Sequence, residues 1–529
     1  MEAVGALRRG GLSIYREALG GMVRARSRTF WIVAGLTTLA TAVRFATLGL
    51  QSYHHDEVVT ASRILSGNFG QAMDAVGYSE SAPPLYYALA WLWTQVTGTG
   101  EFGLRSISAL AGVLTVPVAY WVGVELRGRR TGIATAALVA VNPMLVWYSQ
   151  EARAYALFAL LAALSLLYFL RALRPPGDAP VVGGPYGYST TGRSRDVVLW
   201  GVFSGLALAT HYFAFFPVAV EALWLLRRRG RESARGLAIV AAAGLLLAPL
   251  LIRQMSYEHA DWISNFTLGH RLGETGVTFM LGETGDVIAQ PEHLLSAAIP
   301  ALLLLATLVL VLLRGERPER RAAAVPLAIA VATVTIPATL GLLDPGKDYV
   351  LARNLLPAVV PLLAAIAVGL TLRHARRLGL VLATALVAYW LAFSIWASVS
   401  PALQRPDWDS VAARLGEPRQ PRAMVTWVVG EAPLRDYLST GAFQVVPSDG
   451  YDWLVGEVDF VSNGDVPPPP RRLLGPGLRE TSYERVGRLY IRRYEHEGPG
   501  LVPLRLRLVR TADLDFRSNG VLLDGIGPS

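Results

Sequence analysis

Residues 30–57 read FWIVAGLTTLATAVRFATLGLQSYHHDE. Positions 30–50 form an apolar run that carries one charge, Arg44. At about 1.5 Å of helical rise per residue, such a run covers the roughly 30 Å of bilayer hydrocarbon. Six arginines precede it, and the adjacent acids Asp56 and Glu57 follow it. The run is too long for a signal-peptide core and no convincing cleavage site follows, so it reads as a retained first span.

Ten further apolar runs lie near 106–126, 131–148, 155–172, 197–211, 213–226, 236–252, 295–313, 322–343, 354–372 and 378–399, which predicts about eleven transmembrane helices. Composition agrees, since only 17% of the 529 residues are charged, against about 25% in ordinary soluble domains. A formal charge of +9 raises the question of nucleic acid. The arginines, however, cluster between apolar runs, as membrane topology requires, and no nucleic-acid partner is expected. The absence of cysteine excludes disulfides and thiolate metal sites.

Basic residues are retained on the cytoplasmic side. With the N-terminus inside, the cytoplasmic segments hold 25 Lys and Arg and the opposite segments hold 7. This predicts a multi-pass protein of a bacterial cytoplasmic membrane with residues 1–29 in the cytoplasm and a transmembrane domain over 30–400. Residues 401–529 form an extracytoplasmic domain, whose alternating stretches such as Arg488–Arg492 and Leu504–Val509 read as strands of a small α/β unit. Two long outer loops, 51–105 and 253–294, complete the plan. The first contains Ala88–Trp93, too short to span and rich in tryptophan, which suits helices lying in the interface among membrane lipids.

The chemistry-bearing residues gather at the outer face. Asp56 and Glu57 follow the first span, where anchoring needs no paired carboxylates; one of them, partly desolvated, suits a general base for an acceptor hydroxyl. The same residues would also serve as a solvated helix cap. With His54 and His55 beside them a divalent metal is conceivable, yet no diagnostic ligand spacing is present and no cofactor is indicated. Glu151 and Arg153 sit at the turn between the third and fourth spans, Arg153 as a phosphate ligand with Glu151 orienting sugar hydroxyls or Arg153, or the two as a structural ion pair. Lys347 and Arg353 precede another span on that face and are candidate phosphate ligands or snorkelling cations. His55, His211 and Tyr212, with Tyr86 in Ser81-Ala82-Pro83-Pro84-Leu85-Tyr86-Tyr87, are candidate substrate contacts, with structural or headgroup-anchoring roles as the plainer reading.

Taken in order, Arg44, Asp56-Glu57, Ala82 to Tyr87, Ser149 to Arg153, Thr210 to Phe213, Arg353 to Pro357 and Arg405-Pro406-Asp407-Trp408 resemble glycosyltransferase family 39 of the GT-C superfamily of membrane glycosyltransferases. That family includes protein O-mannosyltransferases and lipid A aminoarabinose transferases. The resemblance covers about 30–415. It implies a mainly helical GT-C fold and inverting transfer of mannose or a related sugar from a polyprenyl-phosphate lipid. Asp56 would be the general base, and Arg153 and Arg353 would stabilise the departing phosphate. The acceptor would be an envelope glycan, a glycolipid or a protein. A transporter or flippase of envelope precursors is the rival reading. Against it, the chain has no evident internal repeat, and its ionisable residues collect at one interface rather than at the bilayer midplane.

Overall fold

The computed structural model describes residues 28–174, 190–257, 266–283, 291–344, 349–438, 453–469, 476–498 and 500–504, with 263, 444–445, 474 and 519–524. Lys347 and residues 505–509 of the expected strand lie outside the described residues. The first element among the described residues is helix α1 (28–45). Then come α2 (Phe69–Ser79), α3 (Leu85–Thr97), α4 (Glu101–Arg127), α5 (Arg129–Val141), α6 (Pro143–Ser149), α7 (Tyr155–Ala172) and α8 (Thr190–Thr210). The bundle continues through α9 (Phe215–Arg229), α10 (Ala234–Met255), α11 (Leu268–Leu281), α12 (Pro291–Arg314), α13 (Arg317–Leu343), α14 (Val359–Leu370) and α15 (Arg376–Val399).

Each of the eleven expected apolar runs falls on helix. Among the described residues, seven helical stretches are long and apolar enough to cross a bilayer, or eight if the α5–α6 pair, bent by 56°, is one span. One of the seven, Tyr212–Met255, would reach about 66 Å as a straight helix. Its ends instead meet, with Tyr212 Oη donating to Gln254 Oε1 at 2.8 Å. The stretch is therefore the antiparallel pair α9 and α10, turned at Gly230 with φ +53°. The expected eleven crossings exceed what length and apolarity alone sustain.

Small residues let these helices approach closely, as in other membrane bundles. A Cβ on Gly132 would lie 2.6 Å from the Tyr120 carbonyl oxygen, and one on Gly236 would lie 2.6 Å from that of Val197. The α5–α6 break follows from Pro143, which has no N–H to give to the Val139 carbonyl. Arg44 fills that gap. Its guanidinium, fully buried, donates to Val139 O at 3.2 Å, to Ala140 O at 2.8 Å and to Ser149 Oγ at 3.1 Å. Arg44 thus satisfies the carbonyls of a broken span rather than snorkelling to water.

Helices α2 and α3 are too short to cross the bilayer. Helix α3 exposes Leu89, Leu92 and Val96, spaced along one side, while Tyr86, Tyr87, Ala90 and Thr94 are buried. That apolar stripe suits a helix lying at the membrane surface. Arg105, expected in the loop, instead belongs to the first turns of α4 and is buried there.

After α15 the chain forms a mixed α/β unit with helices α16 (Trp408–Leu415) and α17 (Val428–Tyr437). Its strands are β1 (Arg422–Trp427), β2 (Gln444–Val445), β3 (Trp453–Val455), β4 (Glu457–Asn463), β5 (Leu478–Val486), β6 (Leu489–His496), β7 (Val502–Leu504) and β8 (Asn519–Asp524). The main sheet runs β2-β8-β1-β4-β6-β5, with β1 and β4 parallel, and β3 pairs with β7. Strand β1 is buried at every position, as expected of a strand covered on both sides. Trp408, Val411 and Leu434 from the two helices pack on one face of it, while Val455 and Leu504 from the β3–β7 pair pack on the other.

Candidate functional site

The residues His54 to Glu57 form a capped helical turn. The His54 side chain accepts from Asp56 N, and Glu57 Oε2 accepts from His54 N at 2.9 Å. Successive side chains in such a turn point about 100° apart, so the two adjacent acids face different surroundings. Glu57 is fully buried and holds Arg105 through both oxygens, with Nε to Oε1 and Nη2 to Oε2 each at 2.8 Å. Its Oε1 also accepts from Ala152 N at 2.8 Å. Both oxygens being occupied, Glu57 joins the first loop to the 150–154 loop. That geometry gives it a positioning place in the site rather than a reacting one.

Asp56 keeps 29% side-chain exposure, and its Oδ2 lies 3.8 Å from Arg353 Nη1. Burial opposes ionisation there, but the guanidinium groups of Arg153 and Arg353, with His54 and His55, outweigh it and hold the carboxyl well below the usual range. Arg153 is itself gripped by Glu80, with two 2.8 Å contacts in a fork. It also reaches Thr60 Oγ1 at 3.3 Å and lies 6.0 Å over the Tyr87 ring. The segment Val59–Ile64 that follows Asp56 is a π-helical turn, a local irregularity often found at functional sites.

Glu151, two residues before Arg153, is also within the field of Asp56. Burial pushes its carboxyl up to about 7; Arg405 pulls the other way, and the neighbouring acids Glu57, Glu283 and Asp56 add to the rise. Arg405 Nη2 donates to Glu151 Oε2 at 3.2 Å. Tyr148 donates its hydroxyl to Glu283. His211 is buried and stacked on Phe158 at 4.8 Å. Desolvation, then Arg353 and Arg153, push it down to about 3, so it is neutral. The structure therefore collects Asp56, Glu151, Arg153, Arg353 and His211 within one electrostatic neighbourhood, from four separate stretches of chain.

Other expected residues turn their polar atoms to different partners. Tyr86 is buried behind the 150–154 loop, hydrogen-bonded to Ser108, whose Oγ donates to Arg153 O at 3.2 Å. Tyr212 is turned to Gln254, which in turn donates to Val76 O and Ala82 O and so ties α10 to the first loop. His55 points at the C-terminal domain, 3.1 Å from the Val429 carbonyl. Among the described residues no group of three or more His, Asp or Glu side chains is placed to hold a metal ion.

Sequence reasoning missed Glu80, Tyr148, Tyr155 and Glu283. Tyr155 packs against Tyr148 at 5.0 Å and near His211 at 6.0 Å. Tyr155 closes the stretch Ser149 to Tyr155, Tyr148 directly precedes it and Glu80 directly precedes the Ser81 to Tyr87 motif, whereas Glu283 stands in no local pattern that marks it.

Residues 81–252 match the family model described as dolichyl-phosphate-mannose-protein mannosyltransferase. The structure resembles ArnT from Cupriavidus metallidurans bound to undecaprenyl phosphate, at TM-score 0.52 and 15% identity, over 88% of this chain and 98% of that one. An archaeal oligosaccharyltransferase, AglB from Archaeoglobus fulgidus in complex with an inhibitory peptide and a dolichol-phosphate, matches at TM-score 0.44 and 13% identity. That match covers 78% of this chain and 59% of AglB. The S. cerevisiae protein O-mannosyltransferase Pmt1-Pmt2 complex bound to the sugar donor matches at TM-score 0.31 and 17% identity, over 44% of this chain and 33% of that one. No curated protein matches the chain.

Proposed function

We infer that this chain, a multi-pass membrane protein with the GT-C fold of membrane glycosyltransferases, transfers a sugar from a polyprenyl-phosphate carrier to an acceptor hydroxyl. The observation that carries this is the placing of an accessible carboxylate, Asp56, 3.8 Å from Arg353 and in the field of Arg153, at one end of an apolar bundle. A carboxylate beside cations is the pairing that attack by a hydroxyl on a phosphate-linked sugar requires.

In the proposed step the acceptor oxygen attacks the anomeric carbon from the side opposite the phosphate and yields its proton to Asp56. The bond between the anomeric carbon and the phosphate oxygen breaks, and the phosphate leaves with the electron pair. Inversion follows from that geometry. Arg353 meets the growing phosphate charge, while Arg153, held in a fork by Glu80, contributes mainly its field. A phosphate at Arg353 offsets the cations that depress Asp56, so the base strengthens once the donor is seated. Glu151, Tyr155 and neutral His211 then line the sugar, and the carrier tail lies along the lipid-facing helices. Mannose or a related sugar is the proposed cargo, supported by the description of the family model that matches residues 81–252. The acceptor would be an envelope glycan, glycolipid or protein. The proposed location of the site is the outer side of a bacterial cytoplasmic membrane, and the charge asymmetry of the loops supports the outward orientation.

The test is transfer from a radiolabelled polyprenyl-phosphate mannose by the Asp56→Asn variant. Loss of the general base predicts a fall of about 10²–10⁴-fold in turnover, with folded protein and donor binding retained. Unchanged turnover removes Asp56 from the mechanism.

A further inference from the structure

The loop that carries Asp56 is held from outside the membrane bundle. Arg405 N donates to Gln51 Oε1 at 3.3 Å, and Ser52 Oγ donates to Asp407 Oδ1 at 3.3 Å while accepting from Asp409 N at 3.0 Å. Tyr53 N donates to Tyr437 Oη at 2.7 Å, and that hydroxyl donates onward to Glu101 Oε1 at 2.6 Å. His55 lies 3.1 Å from the Val429 carbonyl, and Arg405 Nε lies 3.9 Å from Glu57 Oε2. Five of the residues 51–57 are thus fixed by residues 405–437, and Asp56 is carried between two of them.

Arg405 has a second set of contacts. Its guanidinium is 5% exposed, lies 4.5 Å over the Trp147 ring and donates to Glu151 at 3.2 Å. One planar group therefore touches Glu57, the neighbour of Asp56, and Glu151, two residues before Arg153. Glu57 closes the circuit by accepting from Ala152 N, the residue next to Arg153. The fork-shaped, always-charged guanidinium suits this double duty, whereas a lysine ammonium offers a point charge without the planar stack.

We propose that the C-terminal domain is a working part of the site: Arg405 is a positioning residue that sets Asp56 against the 150–154 loop, and Tyr437 of α17 clamps the loop that carries Asp56 through Tyr53 N. Neither residue reacts. Their loss lets the base drift relative to the acceptor hydroxyl, and misplacement by about 1 Å can cost about 10²-fold in rate. The donor phosphate is met mainly by Arg353, which pairs with Asp56 rather than belonging to this clamp, so donor affinity is largely spared.

The inference rests on the glycosyltransferase reading, and the experiment separates the two. Full-length wild-type, R405M, R405K and Y437F proteins in nanodiscs are compared for kcat, donor KM and thermal unfolding, with polyprenyl-phosphate mannose as the probe. Expected is a fall in kcat of about 10–100-fold for R405M, a partial recovery in R405K and a smaller fall in Y437F, with donor KM little changed. If R405M does not fold, R405K and Y437F carry the same comparison. Folded R405M, or R405K and Y437F in its place, turning over at the wild-type rate overturns the positioning role alone. So does a rise in donor KM with kcat unchanged. A wild-type protein inert toward every polyprenyl-phosphate sugar overturns the reading beneath it.

Discussion

Replacing Glu57 by glutamine tests how the site is built. Four donors converge on this fully buried carboxylate: Arg105 Nε and Ala152 N on Oε1, and Arg105 Nη2 and His54 N on Oε2. Glutamine has one oxygen acceptor and presents an NH₂ group where the second was. Whichever way the amide turns, two donors face it unpaired, and one of them belongs to a guanidinium. At about 1–3 kcal/mol for each buried group left unsatisfied, the loss is about 2–6 kcal/mol, in line with the roughly 3–5 kcal/mol for removing one partner of a buried ion pair. Glu57→Gln is therefore expected to lower the midpoint of thermal or denaturant unfolding in detergent and to reduce the folded fraction on size exclusion. Asp56→Asn, one residue away and partly exposed, is expected to leave both near wild type. Equal stability of Glu57→Gln and wild type, or a larger loss in Asp56→Asn, would refute the division of labour between the two acids.

The Glu151 carboxyl, pushed up to about 7 in the folded protein, binds a proton there that the unfolded chain releases near the ordinary carboxylate range. Its contribution to stability is thus present at low pH and lost as pH rises through about 7; Glu151→Gln is expected to flatten that part of a stability-against-pH curve. Gly112 is packed so that an added methyl would overlap Ser149 Oγ and come within 2.9 Å of Arg44 Nε. Gly112→Ala is expected to destabilise the fold by about 1–3 kcal/mol, read as a lowered unfolding midpoint, and an unchanged midpoint would show that the α4–α6 contact yields easily.

Much of the architecture is legible in order along the chain. Apolar runs mark the helices because burying twenty residues in lipid needs no partner to specify it. The amphipathic Leu85–Thr97 helix is legible for the same reason, its exposed stripe of Leu89, Leu92 and Val96 set against buried tyrosines. The hairpin at Gly230 is legible as well, since the charged stretch 227–235 separates the runs 213–226 and 236–252, and the meeting of Tyr212 with Gln254 fits that reversal. Within the site, Asp56, Glu151, Arg153, Arg353 and His211 stand out by charge near span ends. Tyr86 and Tyr212 stand out equally, yet both are turned to structural partners.

The sequence by itself determined that this is a membrane bundle with a polar C-terminal unit and with acids and cations gathered at one face, because hydropathy and charge are properties of single residues summed over short windows. The tertiary structure decided which acid is enclosed and which is open, that Arg153 is gripped by Glu80, and that Arg405 reaches Glu151 across 254 positions of chain. Those outcomes depend on which partner meets a side chain after folding. Two carboxylates adjacent in sequence therefore carry the same chemistry on paper and opposite surroundings in space.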